Sequence, residues 1–225
     1  MYLLNPLIKE LFDTQSLFIS AHSTDEKDFK FLFLFNIPPS FGSNFINDLS
    51  KEIFPGFSRT EKEYDGATIS SFSLGYTNSP LHQRGVGGLS HEALAKGDDV
   101  FSFTVYNDIF IGSFNSMLVE DAIRQINSGA SLQDDFAFNK VASTSGEKAD
   151  VNFYFNHKFF PQIMASFIKN EYSPSVLSLE NFADWTALDL KIKPNIFMLN
   201  GFTFSNDSLH KFLNFFKGQK PQEAG

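Results

Sequence analysis

DVFSFTVYNDIFIGSF, residues 99–114, decides the fold class. Phe101, Phe103 and Val105 recur at period two, so they share one face of a strand over 99–106. Asn107-Asp108 follows, and IFIGSF returns over 109–114. Two apolar runs joined by two such residues form a β-hairpin. Reading outward, residues 57–64 and 67–74 flank Asp65-Gly66, which suits a type I′ turn because both central positions need positive φ. DWTALDLKI (184–192) and IFMLNGFTF (196–204) flank a third turn at Lys193-Pro194-Asn195.

Single strands complete the set. LFISA (17–21) comes first. DFKFLFLFNI (28–37) is the clearest, with Phe29, Phe31, Phe33 and Phe35 on one face. DVNFYFN (150–156) is predicted to turn Val151, Phe153 and Phe155 inward. Helices are predicted over 3–12, from Pro39 to about residue 54, over 116–127, from Ser131, from Pro161, and over 206–216. Asn115 or Ser116 caps the third of these, and Leu118, Ala122 and Ile126 form its stripe. Ser131 with Asp134 is a capping-box variant, followed by Phe136, Phe138 and Val141 as a buried side. The helix from Pro161 carries Ile163, Met164, Phe167 and Ile168.

Hairpins dominate, so the predicted class is α+β: mainly antiparallel sheets with helices packed on one face. Strand-Pro-helix occurs at 29–53 and again at 150–169, and hairpin-then-helix at 99–127 and again at 184–216. That order suggests an internal β-α-β-β-α duplication, with halves 17–127 and 150–216, inside one domain spanning 1–225. The polar tail KGQKPQEAG and the start MYLLNPLIKELF give the expectation of a piece excised from a longer chain.

Composition narrows the function. The chain holds 29 phenylalanines and no cysteine. The phenylalanines fall on strand and helix faces, so they read as core. The absence of thiols excludes disulfides, thiolate metal sites and cysteine nucleophiles. A net charge of −8 with scattered basic residues lacks the footprint of a nucleic-acid binder, and an anionic membrane would repel the chain as a whole. No apolar run is long enough to span a bilayer.

Residues 75–98, GYTNSPLHQRGVGGLSHEALAKGD, form the one long irregular stretch. Its glycines lack the context of a P-loop or dinucleotide fingerprint, so a surface loop is expected. His82, Arg84 and His91 are its candidate binding residues, although His82 and His91 have no metal-ligand spacing and no third ligand. His157 follows the strand NFYFN, where a polar residue either caps the next turn or lines a site. Trp185 is the one tryptophan, read as sheet-face packing with a ligand platform as the alternative. His22 is expected in a solvated turn. Neither a metal nor a cofactor is called for, and there is no G-x-S-x-G or S-x-x-K pattern.

IFIGSFNSMLVEDAIRQINSGASLQDDFAF, ADVNFYFNHKFFP and DWTALDLKIKPNIFMLNGFTFSNDSLHKFLNFFKGQKPQ share a pattern: strand, self-capped helix, a strand ending in Asn-His, and W-x-x-L-D-L…N-G-F. In this pattern, over residues 99–222, the chain resembles a bacterial cell-envelope family catalogued as domain of unknown function three-three-five-two. The resemblance implies a larger parent with an anchor or export signal, an extracytoplasmic (periplasmic or envelope) location and no assigned activity. The expectation is therefore a non-catalytic interaction or scaffolding module with a protein partner in the envelope. The alternatives are a lipid or apolar-ligand binding domain and a hydrolase using a loop histidine.

Overall fold

The computed structural model describes residues 14–25, 28–39, 47, 50–51, 56–73, 100–146, 149–206 and 212. The expected helices over 3–12, 39–54 and 206–216, and the loop 75–98, lie wholly or mainly outside the described residues. The chain divides into two compact units, bounded as Met1–His22 with Lys30–Gly129 and as Ser23–Phe29 with Ala130–Gly225.

The first unit is built on a six-stranded sheet. Its strands are β1 (Phe18–Asp25), β2 (Asp28–Asn36), β3 (Arg59–Tyr64), β4 (Ala67–Ser73), β5 (Val100–Tyr106) and β6 (Ile109–Ser113), in the order β1-β2-β6-β5-β4-β3. The 99–114 reading holds: β5 and β6 pair antiparallel, with Tyr106 opposite Ile109. Their turn has positive φ at Asn107 (51°) and Asp108 (60°), as the Asp65-Gly66 turn has at 48° and 83°. Both are the turn geometry that matches strand twist.

The two faces of this sheet carry different cores. On one face Phe35, Phe72, Phe103 and Phe110 are buried together. Phe35 and Phe110 stack at 4.5 Å, and Phe103 lies 5.3 Å from Phe110 and 5.7 Å from Phe72. Gly112 sits among them because a Cβ there would meet the rings of Phe101 and Phe110 at 2.8 Å. On the other face, Leu32, Ala67, Ile69 and Ile111 pack against helix α1 (Ser116–Ser128). The Asn115 side chain caps α1 by accepting from the Met117 amide, and Gly129 ends it at φ 69°. The buried stripe is Val119, Ala122 and Ile123, flanked by Leu118 and Ile126. It is rotated from the expected stripe because Val119 and Ile123 face the sheet squarely. Phe31, expected inside, is 42% exposed. The β2–β6 pairing ends at Leu32 and Ser113, one rung short of it.

The second unit holds a three-stranded antiparallel sheet, β7 (Val151–Asn156), β8 (Trp185–Lys193) and β9 (Ile196–Phe204), in the order β7-β8-β9. Asn195, at φ 66° after Pro194, closes the β8–β9 turn, as a type II turn requires. Ser131 and Asp134 form the expected reciprocal capping box. Helix α2 (Phe136–Ala142) lays Val141 and Phe138 over Trp185 and Ala187. Phe136, expected inside, is 63% exposed. Two short helices follow, α3 (Phe160–Ala165) with Pro161 in its first turn and α4 (Ser173–Leu177). Phe167 lies beyond α3 and is exposed. The inward reading of β7 is corrected at Val151 and Phe153, which are 39% and 40% exposed. Helix α2 covers the opposite face, where Phe138 meets Tyr154 at 5.1–5.3 Å along with Trp185.

Candidate functional site

The ends of β7, β8 and β9 and the start of α2 enclose a pocket of about 260 Å³ in the second unit. Asp135, Ala137, Asn156, Lys158, Ala183, Asp184, Trp185 and Asn206 line it. Asp135 occupies this spot because it is the N-cap of α2: Oδ1 accepts from the Ala137 and Phe138 amides at 2.8 and 3.0 Å. Its Oδ2 accepts from the Trp185 indole at 3.1 Å. Asp184 Oδ2 accepts from the Asn206 amide at 2.6 Å, and Asn156 Oδ1 from the Lys158 amide at 3.0 Å. Through these bonds the Asp135 and Asp184 carboxylates hold the helix start and the strand ends in place. Trp185, a sequence candidate, is 8% exposed, with its ring edge against Phe138. It is a wall of this pocket.

His157, the second candidate within the described residues, is buried beside Phe182 at 5.3 Å. Its Nε2 shares a 2.8 Å hydrogen bond with Thr186 Oγ1, which shares a further 2.9 Å bond with Thr203 Oγ1. Histidine and two threonines form a hydrogen-bonded chain across β8 and β9. His82, Arg84 and His91 lie outside the described residues.

His22 departs from its expected place. It sits within β1 and is half-buried, not in a solvated turn. Its Nε2 shares a 2.8 Å hydrogen bond with Ser20 Oγ. Burial pushes its pKa below the usual histidine value, and the Asp121 carboxylate partly offsets this. The expected strand over 17–21 stopped one residue short of His22, so its pairing with Ser20 was not foreseen. Asp121 itself is held at 2.6 Å by Arg124. Among the described residues, no three His, Cys, Asp or Glu side chains are grouped so as to hold a metal, and no helix is long and apolar enough to cross a membrane.

Among the described residues, an extended exposed apolar surface lies on the β8–β9 hairpin. β7 pairs with β8 only as far as Val151 and Leu190, whereas β8 and β9 continue to Lys193 and Ile196. The hairpin therefore projects past the third strand as a two-stranded ribbon. Ile192, Ile196, Phe197 and Leu199 on it are 52%, 55%, 75% and 59% exposed. Sequence reading missed this surface, since a continuous apolar run such as IFML looks the same in a covered strand and an uncovered one.

No family model matches the chain, and neither a curated protein nor a solved structure matches it.

Proposed function

We propose that this protein is a non-catalytic interaction module that docks through the β8–β9 hairpin. The single observation that carries this reading is the projecting ribbon, with Phe197 three-quarters exposed. A strand edge of this kind is a liability unless it is used, and contiguous exposed apolar side chains mark interaction sites. The hydrolase alternative draws no added support from His157, whose Nε2 shares its hydrogen bond with Thr186 Oγ1. A Phe-lined ligand cavity finds no support in the strand-end pocket, which no phenylalanine lines. An extracytoplasmic location within a bacterial envelope belongs to the same proposal and rests on the family resemblance of residues 99–222.

The test is site-specific photocrosslinking in the native envelope fraction. A benzoylphenylalanine in place of Phe197 should give a discrete adduct, and one in place of Glu61 on β3 should give none. Absence of any adduct at position 197 above the Glu61 control would reject the docking role.

A further inference from the structure

We infer that the tip of the β8–β9 hairpin docks shallowly on anionic phospholipid bilayers; this rests on the reading of the hairpin as a docking element and names its partner. Side chains alternate between the two faces of the ribbon. Ile192, Phe197 and Leu199 stand on one face, and Ile196 and Met198 stand on the other, beside Lys191 and Lys193. Met198 is 41% exposed, so both faces present apolar surface. A protein groove covers one face of a ribbon. An element apolar on both faces suits a medium that surrounds it, as the headgroup–acyl boundary of a bilayer does.

Charge points the same way. Between Leu190 and Phe204 the only charged residues are Lys191 and Lys193, in a chain of net charge −8. A lysine near an anionic leaflet contributes favourably, and its long stem lets the ammonium reach phosphate while the apolar neighbours sit deeper. The body of the protein repels that leaflet, but only within a Debye length of about 8 Å at physiological salt. Asp150, whose Oδ2 accepts from the Ile192 amide at 2.6 Å, lies at this level and offsets one of the two lysines, so the hairpin end keeps a net positive charge. The backbone limits the depth. Inner amides and carbonyls of the ribbon pair with each other, while those on the outer edge of β9 need water or headgroups. Pro194-Asn195 at the turn is compatible with a shallow pose and not with a span.

Sedimentation with sucrose-loaded vesicles at physiological salt tests this. The protein should bind vesicles of equal phosphatidylglycerol and phosphatidylcholine more tightly than vesicles of phosphatidylcholine alone. Phe197→Asp, and separately Leu199→Asp, should weaken binding about tenfold or more, from the lost apolar burial. Lys191→Glu with Lys193→Glu should erase the preference for phosphatidylglycerol, by roughly fivefold per lysine removed. These positions are exposed or half-buried, and unchanged circular dichroism confirms that the variants fold. Wild type that fails to sediment, or Phe197→Asp that sediments like wild type, overturns the lipid assignment. So does a concentration-dependent dimer that the same substitution dissociates. A discrete protein adduct at position 197 without vesicle binding removes lipid as the partner and leaves the docking role standing. Loss of both adduct and vesicle binding removes both.

Discussion

The two sheets use the same residue types to opposite ends. In the six-stranded sheet both faces are sealed at the centre: Phe103 is fully buried on one face and Ile111 on the other. In the three-stranded sheet, one face packs under α2 through Trp185 and Ala187, while Val151, Phe153, Ile192, Phe197 and Leu199 on the other stand exposed. Their edges differ as well. β3 reads RTEKEY, alternating charges that deter strand addition. β9 reads IFMLNGFTF, with no charge. A shared alphabet thus gives a closed core in one unit and an open surface in the other.

Connectivity separates them too. The expected halves each hold a strand and a later hairpin, β2 with β5–β6 and β7 with β8–β9, although the β3–β4 hairpin intervenes in the first. Yet β2 pairs with the second strand of its hairpin, β6, whereas β7 pairs with the first, β8. The same order of elements in sequence is compatible with either neighbour, so order alone cannot make two sheets equivalent.

The sharpest way to break the comparison is a pair of truncations. Phe103→Ala should destabilise the protein by about 3–5 kcal/mol, from lost transfer energy plus a cavity. Phe197→Ala should change stability by no more than about 0.5 kcal/mol. Urea midpoints measure both. Equal costs would mean that Phe197 is as buried in solution as Phe103.

Gly112→Ala probes how tightly the aromatic face closes. Its Cβ would lie 2.8 Å from rings of Phe101 and Phe110, so those rings must shift. Overpacking of this kind costs about 1–3 kcal/mol. A neutral or stabilised variant in the same urea assay would show that the face has slack.

Asp135→Ala probes the covered face of the smaller sheet. It removes the cap of α2 and the acceptor for the Trp185 indole. Loss of a helix cap costs about 1 kcal/mol, and the unpaired indole adds to it. The Trp185 fluorescence maximum should move in the native state, since its N–H loses a partner. An unmoved spectrum with unchanged stability would detach Asp135 from both roles.

Much of this was legible in the chain because it is local. Asp65-Gly66, Asn107-Asp108 and Asn195 lie at turns since their chemistry permits positive φ, and Pro194 supplies the fixed negative φ before Asn195. Asn115 and Ser131 cap helices because their side chains reach amides two or three residues on. What was not legible is tertiary. Period two in VNFYF divides β7 into two faces without saying which one α2 covers, and Val151 and Phe153 fell on the uncovered one. Leu118 and Val119 are equally apolar, so sequence could not fix the rotation of α1. The strand-end pocket joins residues 135, 156, 184 and 206, which no spacing rule connects.

His22 sharpens the comparison at its finest scale. β1 is an edge of the larger sheet, as β9 is of the smaller. Phe18 and Ile19 on β1 are exposed, yet His22 is desolvated enough to lower its pKa despite the Asp121 carboxylate. A histidine with a lowered native pKa binds fewer protons folded than unfolded over the interval between its two pKa values. Its contribution to stability is therefore complete above the unfolded value of about 6.5 and declines as pH falls below it toward the lowered native value. His22→Gln should remove that decline while keeping a polar partner for Ser20. The measurement is the unfolding free energy of both proteins between about pH 5 and 8, a window set on each side of the unfolded value. Subtracting the two curves cancels every other titrating group. Wild type should lose stability relative to His22→Gln on the acid side alone, by a small amount because the two influences on His22 oppose each other. A flat difference curve would place His22 in water, and β1 would then be as open an edge as β9. A difference of the opposite sign would mean that the Asp121 carboxylate outweighs burial.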